Sequence, residues 1–113
     1  MAKKLKTEYV AMALASLGHE ARLSVYRLLV RAGHEGLTVG EISDQLDLPA
    51  STLAHHLKAL VQAGLVKQEK QGREVFNKPD FEAMSAVTAF LKDNCCTGVS
   101  KNSDAAWIFI YHV

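Results

Sequence analysis

Residues 38–64 read Thr38-Val39-Gly40-Glu41-Ile42-Ser43-Asp44-Gln45-Leu46-Asp47-Leu48-Pro49-Ala50-Ser51-Thr52-Leu53-Ala54-His55-His56-Leu57-Lys58-Ala59-Leu60-Val61-Gln62-Ala63-Gly64. Thr38 and Glu41 are spaced as a capping box, in which the threonine hydroxyl and the glutamate side chain each satisfy an orphan amide. That spacing predicts a short helix over Thr38–Leu46, with Ile42 and Leu46 as its apolar stripe. Asp47-Leu48-Pro49 breaks the helix, because the residue before a proline is pushed out of the helical region. Pro49 suits the first turn of a following helix, where its missing amide costs nothing. Leu53, Leu57, Leu60 and Val61 then recur at helical period, and Gly64 is placed to cap the end. A short helix, a tight turn and a second helix make a helix-turn-helix: Thr38–Leu46, Asp47–Leu48 and Pro49–Ala63.

The second helix has a telling outer face. At about 100° per residue, Ser51, His55, Lys58 and Gln62 fall opposite Leu53, with Thr52 at the edge. No aspartate or glutamate occurs from Leu48 to Val66. Short polar groups near a helix start can meet base edges in the major groove, and cations behind them can meet phosphates. The plain alternative is a solvated helix face. The adjoining segment favours DNA: Leu65–Lys70 and Glu74–Asn77 read as two short strands, with Gln71-Gly72 between them as a tight hairpin turn. Lys67, Lys70 and Arg73 lie on or beside its tip, where a two-stranded ribbon can lay cations along a DNA backbone. Glu69 and Glu74 weaken that field. The expected DNA contacts are therefore Ser51, Thr52 and His55 to bases, and Lys58, Lys70 and Arg73 to phosphates.

Working outward, Val10, Leu14 and Leu17 predict a helix over Thr7–Leu17. Leu23, Tyr26 and Val30, with Leu28 and Leu29 beside them, predict another over His19–Arg31, followed by a turn at Gly33–Gly36. Beyond Pro79, the residues Phe81, Met84, Val87, Phe90 and Leu91 predict an amphipathic helix ending near Asn94. The pattern is lost from Thr97 onward. Thr97–Asp104 is polar, and Trp107–Val113 is a short β-prone run that could lie as a strand on a dimer surface. The expected organisation is one winged helix-turn-helix domain, residues 1–96, and a tail, residues 97–113. The fold class is mainly α, five helices with a two-stranded β-hairpin wing, dimeric.

The composition fits one globular domain. The chain has 113 residues, 49% hydrophobic and 22% charged, which argues against disorder. No apolar run approaches the roughly 20 residues of a membrane span. The basic N-terminus is followed by no apolar core of a secretory signal, so the expected location is the cytoplasm, with no membrane partner. The net charge of +1 is uninformative, but residues 49–78 hold five cations against two acids, so the rest sums to −2. Such asymmetry suits a segment that faces a polyanion. A chain this short leaves dimerisation open as a further source of stability. Phosphate-binding glycine loops, nucleophile elbows and metalloprotease helices are missing from the sequence, so no enzyme is expected.

The run Leu17-Gly18-His19-Glu20-Ala21-Arg22-Leu23 resembles the second-helix signature of the ArsR/SmtB family of winged-helix repressors. Ser51-Thr52-Leu53-Ala54-His55-His56-Leu57-Lys58-Ala59-Leu60 and Ala63-Gly64-Leu65-Val66 resemble that family's recognition helix and first wing strand, and Gly72-Arg73 its wing tip. The resemblance covers residues 7–96. It implies a homodimeric, effector-controlled repressor of operator DNA whose first and last helices form the dimer interface. Ala54 stands where many relatives carry a serine, which takes one hydrogen-bonding group from the face. His56, near the apolar stripe, is expected to be packed and hydrogen-bonded, and His19 to be a helix-start residue without a function. A zinc or nickel site on the last helix would need more than its Glu82 and Asp93.

The two cysteines, Cys95 and Cys96, are adjacent, which makes no disulfide scaffold, and are expected to end the fifth helix, close to where the two subunits should meet. Thiolates are soft ligands, and two side by side suit a thiophilic ion or an oxidant better than a hard cation. The pair resembles the vicinal cysteines of arsenic-sensing members of the family, which use a third thiol in trigonal AsS₃ coordination. A third thiol is missing from this sequence, so a partner subunit or a small thiol would complete the site, or it would stay two-coordinate. No cofactor is required; the expected effector is As(III) or Sb(III). The alternatives are a redox or reactive-sulfur switch on the same pair, and an effector-independent protein-interaction module.

Overall fold

The structure, a computed structural model, describes residues 6–100. In chain order it contains α1 (Thr7–Leu17), α2 (Glu20–Ala32), a 3₁₀ turn (Gly33–Glu35), α3 (Val39–Leu46), α4 (Ala50–Gln62), β1 (Val66–Gln71), β2 (Glu74–Pro79) and α5 (Phe81–Lys92). Five helices with one antiparallel hairpin are the architecture expected from the sequence. Among the described residues, no helix is long and apolar enough to cross a membrane.

The signals that define α3 and α4 act as their chemistry requires. The Glu41 amide donates to Thr38 Oγ1 at 3.2 Å and the Thr38 amide to Glu41 Oε1 at 2.9 Å, closing the capping box. The turn rests on Asp47 in the left-handed region (φ 52°) and on Ser43 Oγ donating to the Leu48 carbonyl at 2.6 Å. Pro49 is the N-cap of α4 and Ala50 begins it, one residue later than expected. At the far end the Gly64 amide donates to the Val61 carbonyl and the Leu65 amide to that of Leu60, both at 3.0 Å. These paired bonds form a Schellman cap with Gly64 (φ 79°) in the left-handed position. A Cβ there would also stand 2.8 Å from Tyr9 Oη, so the tyrosine side chain would have to move.

The core gathers Val25, Leu29, Ile42, Leu53, Leu57, Leu60 and Leu65, all at 2% exposure or less. Two helices turn differently from expectation. In α1 the buried face is Val10, Ala13 and Ser16, while Leu14 is exposed. The small side chains let α1 lie close, and Ser16 Oγ is satisfied by the Ala13 carbonyl at 2.6 Å. In α2 the face is Val25, Tyr26, Leu28 and Leu29, leaving Leu23 outside. Asp80 caps α5, accepting from the Ala83 amide at 3.0 Å, and Asp93 leaves the helix at φ −58°, ψ 136°. The helix thus stops short of Asn94, and Leu91, expected on its apolar stripe, is exposed.

The hairpin pairs Val66 with Pro79 through to Gln71 with Glu74, so its loop is Gly72-Arg73 rather than Gln71-Gly72. Gly72 (φ 65°) takes the first loop position, which in a tight two-residue hairpin favours glycine. The wing base is tied to the body by Asn77, a fully buried side chain. Its Nδ2 donates to the Leu37 carbonyl at 3.0 Å, its Oδ1 accepts from Gln68 Nε2 at 2.9 Å, and its backbone bridges Leu37 in both directions. Residues 97–100 are in neither helix nor strand, and Trp107–Val113 lies outside the described residues.

Candidate nucleic-acid interface

The outer face of α4 follows from the side chains that its inner face must bury. With Leu53, His56, Leu57 and Leu60 inside, Ser51, Thr52, Ala54, His55, Lys58 and Gln62 are all on the outside and exposed. No side chain caps the start of α4 and no acid stands in its first turn. Its first amides and positive dipole end therefore face outward beside Ser51 and Thr52, an environment that favours anions.

The wing adds its cations on the exposed hairpin. Lys67, Lys70 and Arg73 are exposed, and none forms an ion pair with a described residue. Glu69, which the sequence suggested would weaken this field, is occupied by its neighbours. Lys78 Nζ lies 3.1 Å from its Oε2 and Gln71 Nε2 donates to Oε1 at 2.7 Å. The Gln71 hydrogen bond, then Lys78, hold its carboxyl below the usual glutamate range. Lys78 thus takes the ion pair with Glu69, while Lys67, Lys70 and Arg73 make none with a described residue. Sequence spacing alone did not reveal that division, because it depends on the diagonal reach across the hairpin.

His56 is buried, as expected of a packing residue, but its Nδ1 has no hydrogen-bond partner among the described residues. Its ring lies 5.0 Å from that of His19 and 5.8 Å from that of His55. Burial first, and the neighbouring His19, Arg22 and His55 after it, hold His56 below the usual histidine value.

Cys95 and Cys96 lie not on α5 but in the turn after it, both exposed, with Sγ atoms 3.0 Å apart. The helix has already been left at Asp93, and in the turn that follows Asn94 (φ 60°) and Cys96 (φ 67°) take left-handed conformations. The shared hydrogen bond pushes the Cys95 thiol up from the ordinary cysteine value. Among the described residues no group of three or more His, Cys, Asp or Glu side chains is arranged to hold a metal ion.

This outward helix beside a basic wing sits in a chain whose residues 17–69 match the model of a helix-turn-helix domain. The uncharacterized HTH-type transcriptional regulator YbzH of Bacillus subtilis is 35% identical over 68% of this chain and 89% of its own length. An ArsR-like transcriptional regulator from a Rhodococcus species superposes with a TM-score of 0.68 at 25% identity, covering 75% of this chain and 77% of that one. The chain belongs to the ArsR family of winged-helix transcriptional regulators. A Halobacterium salinarum protein provisionally named arsenical resistance operon repressor ArsR is 42% identical, over 53% of this chain and 46% of its own. In this ArsR-family regulator the matched residues 17–69 run from the end of α1 into β1. They contain Ser51, Thr52, His55 and Lys58. Lys70, Arg73, Cys95 and Cys96 lie beyond them.

Proposed function

We propose that this ArsR-family regulator is a homodimeric repressor that binds operator DNA in the cytoplasm and is released by a thiophilic effector. The observation that carries the DNA half is the acid-free, exposed face of α4 beside a wing whose Glu69 is paired with Lys78 while Lys67, Lys70 and Arg73 are exposed. Ser51, Thr52 and His55 are assigned to base edges, and Lys58, Lys70 and Arg73 to phosphates. The reading assigns binding and no catalytic step. Support for a dimer comes from unpartnered apolar side chains on the first and last helices: Met12 is 51% exposed on α1 and Leu91 is 61% exposed on α5. Joining those helices across a two-fold axis sets two recognition helices on one face of a duplex, with half-sites about one helical turn apart.

For the effector we propose trivalent arsenic or antimony at Cys95 and Cys96. The Sγ separation of 3.0 Å lets one atom take both sulfurs without rearranging the turn. Each As–S bond forms as a thiol gives its proton to an arsenic-bound hydroxide, which leaves as water. The third position is filled by a thiol of the partner or of a small molecule, or keeps its hydroxide. Binding next to α5 then alters the dimer helix and the spacing of the recognition helices, a coupling between two sites. The same short separation favours one second reading, oxidation of the pair to a disulfide by a peroxide, which is reduced to water.

The test is release of operator DNA by arsenite, antimonite, cadmium, zinc, peroxide and persulfide, in the wild type and in Cys95→Ser/Cys96→Ser. Arsenite or antimonite should release only the wild type. Release by peroxide or persulfide alone selects the second reading, and an equal response of the double variant removes the cysteines from the switch.

A further inference from the structure

His56 stands on the core side of the helix assigned to DNA. It shares the inner face of α4 with Leu53, Leu57 and Leu60 and is 5% exposed. Its ring lies 5.0 Å from that of His19, the N-cap of α2, and 5.8 Å from that of His55, which is exposed on α4. Three imidazoles thus run from the start of α2, past the buried side of α4, to the surface assigned to bases. Nδ1 of His56 has no hydrogen-bond partner among the described residues. Neither has Nε of Arg22, whose Nη1 is spent on the Ser16 carbonyl at 3.2 Å.

Four elements pack against α4: α1, α2, α3 and β1. The titratable and charged groups that act on His56 come from the start of α2 and from α4 itself, and they are His19, Arg22 and His55. Among the described residues α1, α3 and β1 bring none, and no carboxylate is in the set. Glu20, next to His19, is exposed and makes no ion pair with a described residue. A neutral ring tolerates this setting. A protonated ring carries an N–H on both nitrogens, so Nδ1 would present a donor without an acceptor. It would do so beside a guanidinium that is always charged and two imidazoles that become so in acid. Burial and these neighbours accordingly hold His56 below the usual histidine value.

We propose that His56 is an acid-sensitive latch on the recognition helix: neutral, it seats α4 against α2, and proton uptake in mildly acid solution unseats α4 and releases operator DNA. The proposal rests on the DNA-binding reading. Its sign is distinctive. A histidine that only faced the duplex would gain from a charge beside phosphates, so binding would tighten in acid. His56 faces inward, and its proton must leave for α4 to be held in place. The switch therefore needs no ligand beyond the proton.

The experiment uses the full chain and an operator selected from random duplexes, with affinity followed by anisotropy between about pH 7.5 and about pH 5.5, the range over which imidazole changes charge. The wild type should bind roughly tenfold more weakly at the acid end, inside the tenfold per pH unit that one coupled proton allows. His56→Gln should bind like the wild type at the neutral end and keep that affinity in acid. His19→Gln, at an exposed position, removes one of the groups that oppose the proton on His56, so it should lose less affinity in acid than the wild type. In the free wild type, NMR should show the amides of Leu53 to Gln62 shifting together with the protonation of the His56 ring. Circular dichroism should stay that of the folded chain throughout.

Binding that tightens or holds steady in acid, or a His56→Gln that weakens as the wild type does, would overturn the latch and leave the DNA reading standing. Loss of the fold together with binding would replace the latch with plain acid denaturation. A wild type that binds no duplex at any pH would overturn the DNA reading and the release with it.

Discussion

The helix-turn-helix with its wing, residues 38–79, and the cysteine turn, residues 93–97, are held by opposite means. The first is pinned by a reciprocal capping box at Thr38, a Schellman cap at Gly64 and the buried Asn77 that ties the wing to Leu37. The second is exposed throughout and rests on single-turn bonds from Asp93 to Phe90, Cys95 to Lys92 and Thr97 to Asn94, at 3.0–3.2 Å. Two of its non-glycine residues hold positive φ, a conformation that costs energy. The reading head is therefore expensive to deform, and the turn cheap. A signal that arrives at the turn can act without unfolding the part that meets DNA.

The contrast in stability is the largest expected effect. Leu53→Ala removes a fully buried side chain of α4 and should cost about 2–5 kcal/mol in chemical denaturation. Cys95→Ser/Cys96→Ser, at exposed positions, should stay within about 0.5 kcal/mol of the wild type. A comparable loss from both would abolish the distinction. Within the pinned region, Asn77→Ala strips the buried side-chain bonds to Leu37 and Gln68 and should cost about 1–3 kcal/mol. Hydrogen exchange should show the loosening concentrated at the base of the wing.

The pH dependence sharpens the picture inside the reading head. His56 is held below its ordinary value by burial and then by His19, Arg22 and His55. The folded protein therefore takes up a proton there less readily than the unfolded chain. The stability it contributes is present above the ordinary histidine pKa, near 6.5, and is lost as pH falls below it. Denaturation midpoints of the wild type should drop over that range more steeply than those of His56→Gln. Parallel curves would remove His56 as the cause. The smallest effect lies in the turn: Cys96→Ala removes the hydrogen bond that raises the Cys95 thiol, so Cys95 should be alkylated faster at neutral pH. An unchanged rate would mean the two sulfurs do not interact in solution.

The sequence made one region far more legible than the other. Thr38, Glu41, Pro49 and Gly64 act locally, through caps and backbone limits, and α3, α4 and the exposed face of α4 could be read from them. Helix orientation was less legible where packing outweighs side-chain size: α1 buries Ala13 and Ser16 and leaves Leu14 outside. The hairpin loop moved by one residue because Gly72 occupies its first position. The pairing of Lys78 with Glu69 and the tie from Asn77 to Leu37 join residues distant in sequence, and periodicity carries no record of them. The cysteines were adjacent by inspection, but their place in a turn rather than at the end of α5 depended on Asp93 leaving the helix, which helical periodicity does not record.

The central claim is that α4 reads sequence while the wing holds backbone, and one salt titration tests it most directly. Fluorescence anisotropy would follow the wild type, Ser51→Ala/Thr52→Ala and Arg73→Ala on the selected operator and on a scrambled duplex. The wild type should bind both, favour the operator, and lose affinity linearly with log salt. Ser51→Ala/Thr52→Ala should give up about 1–3 kcal/mol of that preference for each lost base contact and little else. Arg73→Ala should weaken both duplexes by the same factor and lower the salt slope by about 1. A wild type without a salt slope, or variants that leave preference and slope both unchanged, would contradict the account.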